Sequence, residues 1–128
     1  MTGRLVYCRV CLVACVLLPA CLCSDEVVSE VTSPDGVLTA TIVVRDCGAT
    51  TDFTSIVNLH KRGEASDDKR GIVFVAKGRQ RVFATWRNDK LLSITCESCA
   101  PTEISYEASA WGDIEILSAP GSPAGSKR

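Results

Sequence analysis

Apolar residues recur at every second position along much of this chain, the period of a strand with one face buried. The clearest run is Val37-Leu38-Thr39-Ala40-Thr41-Ile42-Val43-Val44, in which Leu38, Ala40, Ile42 and Val44 share one face and Thr39, Thr41 and Arg45 share the other. Ahead of it, Asp25 to Thr32 is a second β-branched run, and Ser33-Pro34-Asp35-Gly36 separates the two. Proline presets φ at the first corner of a turn and Asp-Gly tolerates positive φ at the next positions, so this quartet predicts a β-hairpin. Phe53 to His60, Ile72 to Ala76, Arg81 to Arg87, Leu91 to Cys96, Glu103 to Tyr106 and Asp113 to Leu117 continue the strand pattern. Trp86 to Leu91 joins two of these strands through a second tight turn, and Ile114 and Ile116 alternate with acids as on an exposed-face strand. No stretch holds a sustained helical stripe. The pattern predicts an all-β fold, a small antiparallel meander rolled into a sandwich or a partly open barrel.

Two segments fall outside the pattern. Lys61 to Gly71 is charged, contains two glycines and is expected to be a mobile loop. The stretch 118–128, rich in Pro, Gly and Ser, has no apolar anchor and is expected to be a disordered tail.

The N-terminus changes the picture more. Arg4 and Arg9 form a basic opening, and Val10 to Leu18 is an uninterrupted apolar run. That run has the size of a signal-peptide core, whereas a membrane-spanning helix needs about 20 apolar residues, and Arg9 stops it extending backwards. Leu18-Pro19-Ala20-Cys21 resembles the lipobox of bacterial lipoproteins, whose cysteine thiol receives a diacylglycerol and becomes the new N-terminus. Leu12-Val13-Ala14-Cys15 also fits the pattern, but leaves too little apolar chain after Arg9. The expected organisation is therefore a lipoprotein-type signal peptide over 1–20, a β-rich domain over 21–117 and the tail, with Cys21 lipidated. Plain cleavage near Cys23, with Ser24 starting a secreted or periplasmic chain, is the alternative, and an uncleaved anchor is a third. A lipid on Cys21 makes the cell membrane or outer membrane the first partner.

Charge removes one class of function. The chain of 128 residues carries a net charge of −1, and loss of Arg4 and Arg9 with the leader leaves 12 basic against 15 acidic residues. Nucleic acid binding needs a concentrated basic face. Lys77, Arg79 and Arg81 are the nearest approach to one, and they fit a solvated strand end.

Eight cysteines in an exported chain point to oxidation. Cys8, Cys11 and Cys15 leave with the leader, and lipidation takes Cys21, so Cys23, Cys47, Cys96 and Cys99 remain. The expected staple runs from Cys47 to Cys96 or Cys99. Cys96-x-x-Cys99 is also the spacing of a redox-active pair, although here it follows a strand rather than opening a helix. Structural zinc needs four ligands, and the mature chain adds only a lone His60, which reads as a surface residue. No metal or cofactor is expected. Gly48-Ala49-Thr50-Thr51 fits a tight turn held by Thr hydroxyls better than an anion nest, and Asp67-Asp68 fits a solvated loop. Phe74, Phe83, Trp86 and Trp111 read as core or sheet-face aromatics.

The Ser33-Pro34-Asp35-Gly36 hairpin and the run Arg45-Asp46-Cys47-Gly48-Ala49-Thr50-Thr51 resemble a family of small bacterial lipoproteins of uncharacterised function. The later Val73 to Ala76 and Trp86 to Ile94 segments fit the same layout. The resemblance implies an envelope location and no catalytic residues. The functional expectation is a non-enzymatic binding or structural module at the membrane surface, open to an envelope protein partner. An exported thiol/disulfide redox protein using Cys96 and Cys99 is the alternative.

Overall fold

The computed structural model describes residues 23–66 and 68–120. The expected signal segment with Cys21, Asp67, and the tail beyond Pro120 lie outside the described residues.

Nine strands are present among them: β1 (Ser24–Thr32), β2 (Leu38–Asp46), β3 (Thr54–Lys61), β4 (Ile72–Lys77), β5 (Val82–Asn88), β6 (Leu91–Cys96), β7 (Ile104–Glu107), β8 (Ala110–Trp111) and β9 (Ile114–Pro120). Two single 3-10 turns, Lys69–Gly71 and Pro101–Glu103, precede β4 and β7. The strands form a five-stranded sheet in the order β1-β2-β3-β4-β7 and a four-stranded sheet in the order β5-β6-β9-β8. The two pack as a sandwich and do not close into a barrel.

The hairpin forms where the Ser-Pro-Asp-Gly quartet places it. Gly36 takes φ +75°, a region that favours glycine, and its N–H donates to the Ser33 carbonyl at 2.8 Å. The Ser33 hydroxyl donates to Asp35 Oδ1 at 2.6 Å and accepts from the Leu38 N–H at 3.0 Å. From there the register runs Thr32 opposite Thr39 down to Ser24 opposite Asp46, with a bulge between Val27 and Ser29.

One pairing departs from the expected antiparallel meander: β6 and β9 run parallel, Leu91 opposite Glu115 through Cys96 opposite Pro120. Parallel neighbours need a long crossover. Residues 97–113 supply it by leaving the second sheet, adding β7 to the edge of the first beside β4, and returning through β8. The same pairing carries β9 to Pro120, past the expected strand end at Leu117.

The inner faces meet in a core of Ala40, Ile42, Val57, Leu59, Phe74 and Ala76 from the first sheet and Val82, Ala84, Leu92, Ile94, Ile114 and Ile116 from the second. Ile114 and Ile116 are therefore buried, not on an exposed strand. Alternation shows that two faces differ but not which is covered; here the isoleucines turn inward and Glu115 and Leu117 outward. Of the aromatics, Phe74 is fully buried and Phe83 is exposed on the outer face. The two indoles hold the sandwich: Trp86 Nε1 donates to the Val31 carbonyl at 3.0 Å, and Trp111 Nε1 to the Arg70 carbonyl at 2.9 Å.

The Lys61 to Gly71 connection is tied down at its far end. Asn58, only 2% exposed, donates from Nδ2 to the Asp68 carbonyl at 2.8 Å, and Asp68 accepts from the Arg70 N–H to cap the 3-10 turn. Gly71 passes so close to β3 that a Cβ there would lie 2.2 Å from the Leu59 carbonyl and 2.6 Å from Asn58 Oδ1. The backbone must move to admit a methyl group. Gly71→Ala is expected to cost about 2 kcal/mol, in the range of overpacked sites, read as a lower urea midpoint with an unchanged slope.

Candidate functional site

Among the described residues, the cysteines, the lone histidine and the paired charges gather at the two ends of the sandwich. At the first end β1 begins, β2, β4, β6 and β9 finish, and the 47–53 and 78–81 connections lie between them. Both disulfides are here, joining Cys23 to Cys47 and Cys96 to Cys99.

The expected staple from Cys47 to Cys96 or Cys99 is not formed. Strand register explains the actual choice. Counted from Thr32 opposite Thr39, an unbroken hairpin would set Ser24 opposite Cys47; the bulge before Ser29 shifts the pairing by one, so Ser24 meets Asp46 and Cys23 comes to Cys47. Cys47 lies at the open corner of the first sheet, whereas Cys96, opposite Val82 on the inner face of the second, is 0% exposed, and Cys99 is 7% exposed. Counting the hairpin register outward from Gly36 leads only to Ser24 opposite Cys47, and the bulge supplies the one further residue that makes Cys23 the partner.

The turn after Cys96 is held on several sides. Ser98 donates from Oγ to Gln80 Oε1 at 2.6 Å and accepts from the Arg81 N–H at 2.9 Å. Gln80 Nε2 donates to Glu103 Oε2 at 3.0 Å, which also accepts from the Ala100 N–H at 2.8 Å. Ser55 joins the network from β3, donating to the Gly78 carbonyl and accepting from the Gln80 N–H.

Three ion pairs stand at this end. Arg45 holds Asp25 through two bonds, of 2.8 and 2.9 Å. That contact keeps the Asp25 carboxyl below its ordinary value and raises Arg45. Arg79 binds Glu26 at 3.0 Å and lies over the Phe53 ring, 4.8 Å from its centroid. Arg81 approaches Glu97 at 3.9 Å. Lys77, Arg79 and Arg81 do come to one end, but two of the three face an acid and no concentrated basic surface results. The 48–51 turn closes on itself, since the Thr51 N–H and hydroxyl both donate to the Gly48 carbonyl at 3.2 Å and the Gly48 N–H donates to Asp46. Thr50 stands exposed beside it.

His60 is at the opposite end, opposite Thr39 near the hairpin turn. His60 therefore lies at the far end of the sandwich from Cys47, Thr50 and Thr51. Nor is His60 a surface residue: it is 9% exposed, because the Lys61 to Gly71 connection folds back along β3. Its Nδ1 lies 2.9 Å from the Lys61 carbonyl, which can only accept, so Nδ1 carries the proton. Nε2 lies in hydrogen-bond contact with the Thr41 hydroxyl at 2.7 Å. Both ring nitrogens are engaged. A cleft of about 510 Å³ opens beside it, lined by Lys61, Asp68, Arg70 and Trp111 among others. Its polar groups are largely bonded to one another: Arg70 with Asp68, whose carboxyl is thereby held below its ordinary value, and the Trp111 indole with the Arg70 carbonyl.

Among the described residues no three metal-ligating side chains gather, and no helix is long and apolar enough to cross a membrane. No protein-family model matches the chain, and no curated protein and no solved structure matches it.

Proposed function

We propose that this chain is a lipid-anchored protein of the cell envelope, a non-enzymatic binding or structural module held at the membrane surface through Cys21. The Cys23–Cys47 bridge carries the reading. A chain cleaved after Cys23 and starting at Ser24 would leave Cys47 without its partner, whereas cleavage ahead of Cys21 keeps the bridge. All four cysteines from residue 23 onward are used in two bridges, which fits a compartment outside the reducing cytosol. The two stretches that resemble the lipoprotein family form a hairpin turn and a bridged corner, and both do structural work in this fold.

Thiol exchange at Cys96 and Cys99 is the second reading, favoured by the bridge between them. Burial of both residues obstructs the approach of an attacking thiolate. The segment that follows is a single 3-10 turn and not a helix whose N-terminus would lower a thiol pKa.

The test is metabolic labelling in the host with a fatty acid. The chain is expected to take up label and sediment with membranes, and Cys21→Ser to lose both. Label retained in Cys21→Ser but absent from Cys15→Ser would overturn the assignment.

A further inference from the structure

We infer that the bridged end of the sandwich rests against lipid headgroups, with Phe53 and the exposed 48–51 turn in contact and the His60 cleft facing away. This rests on the lipid anchor proposed above and adds an orientation to it.

The leash to the membrane is short. Only two residues of reach separate a lipid on Cys21 from Cys23, at most about 7 Å of extended chain. Cys23 has no freedom beyond that, because the bridge to Cys47 and the pairing of Ser24 with Asp46 fix it to the first sheet. A headgroup layer is itself about 5–8 Å deep on each side of the bilayer. The corner bearing Cys23 and Cys47 is therefore kept within the depth of one headgroup layer from the membrane. The strands run away from it, and at a rise of about 3.3 Å per residue the length of β1 lifts the other end by roughly 30 Å.

The leash, more than charge, selects this end. The exposed β1 flank carries Glu30 beside Val27 and Val28. At the bridged end Asp25–Arg45, Glu26–Arg79 and Glu97–Arg81 are paired, and the exposed Asp52 and Lys77 oppose one another in sign. Phe53 is 40% exposed there, after the turn Gly48 to Thr51. Such a surface has no strong net attraction to headgroups by charge. The leash sets the contact, so its closeness is independent of the anionic lipid content.

The native tryptophans serve as built-in controls, since Trp111 lies at the far end and Trp86 in the far half of β5. The full chain, carrying its fatty-acid label, is reconstituted in vesicles of zwitterionic lipid brominated high on the acyl chain, and in the same lipid with an anionic fraction. Native emission is expected to be unquenched. The additional emission of Phe53→Trp is expected to be quenched equally in both vesicles, and to recover when a flexible Gly-Ser linker is inserted between Leu22 and Cys23. Ala49→Trp serves as a second reporter should the first variant fail to form both bridges. Labelled protein whose reporters are not quenched, or whose native tryptophans are, overturns the orientation alone. Protein without label overturns the lipid anchor and the orientation with it.

Discussion

Phe74→Ala is expected to remove about 4 kcal/mol of stability, the usual cost of emptying a large aromatic site in a core. Phe74 is the largest of the fully buried side chains, at 1% exposure. It lies on the first sheet's inner face opposite Val57, in a register that runs unbroken from Thr54 opposite Lys77 and shifts only beyond Phe74. β4 is hydrogen-bonded on both sides, to β3 and to β7, so collapse of the backbone into the void is resisted and the cavity persists. A domain of this size has only about 5–15 kcal/mol in total. Phe74→Ala should therefore melt well below the parent, while Phe83→Ala, on the outer face and 51% exposed, should stay close to it. Equal melting of the two variants in a thermal scan would contradict the assignment of inner and outer faces.

The second large effect belongs to the corner bridge. Replacing Cys23 and Cys47 together with serine is expected to cost about 3 kcal/mol, from the unfolded-chain entropy that a loop of this length removes. The separation of 24 residues includes the whole β1–β2 hairpin. β1 is an edge strand, and its residues Ser24 to Val28 are exposed. Loss should therefore appear first as faster amide exchange over Asp25 to Val28, while β3 and β6 stay protected. Urea unfolding measures the total, and a loss below about 1 kcal/mol would show that the bridge does not constrain the chain.

Strands with strict alternation and a turn quartet at one end were legible from residues alone. β2 is the best example, because Pro34-Asp35-Gly36 marks its start and Leu38, Ala40 and Ile42 mark its inner face. β8 was not legible, since Ala110 and Trp111 are too short to display a period. The parallel pairing of β6 with β9 was hidden for another reason: pairing is a long-range choice, and nothing within either segment encodes its neighbour. Ile114 and Ile116 show the limit of alternation, which separates faces without saying which one another sheet covers. His60 shows the same limit from the polar side, because its burial depends on a connection returning along β3. The cysteine pairing needed one residue of register, set by a bulge at Val28, and bulges leave no reliable local signature. The charge pairs at the bridged end, likewise, join residues from different strands.

On the function proposed above, the mature chain begins at a lipidated Cys21 and is bridged to the first sheet two residues later. Non-reducing proteolysis of the membrane-extracted protein, followed by mass measurement of the N-terminal peptide, tests it in one experiment. The expected peptide starts at Cys21, carries acyl mass, and is disulfide-linked through Cys23 to the peptide containing Cys47. An N-terminus at Ser24 or beyond, or Cys47 recovered as a free thiol or joined to Cys96 or Cys99, would contradict it.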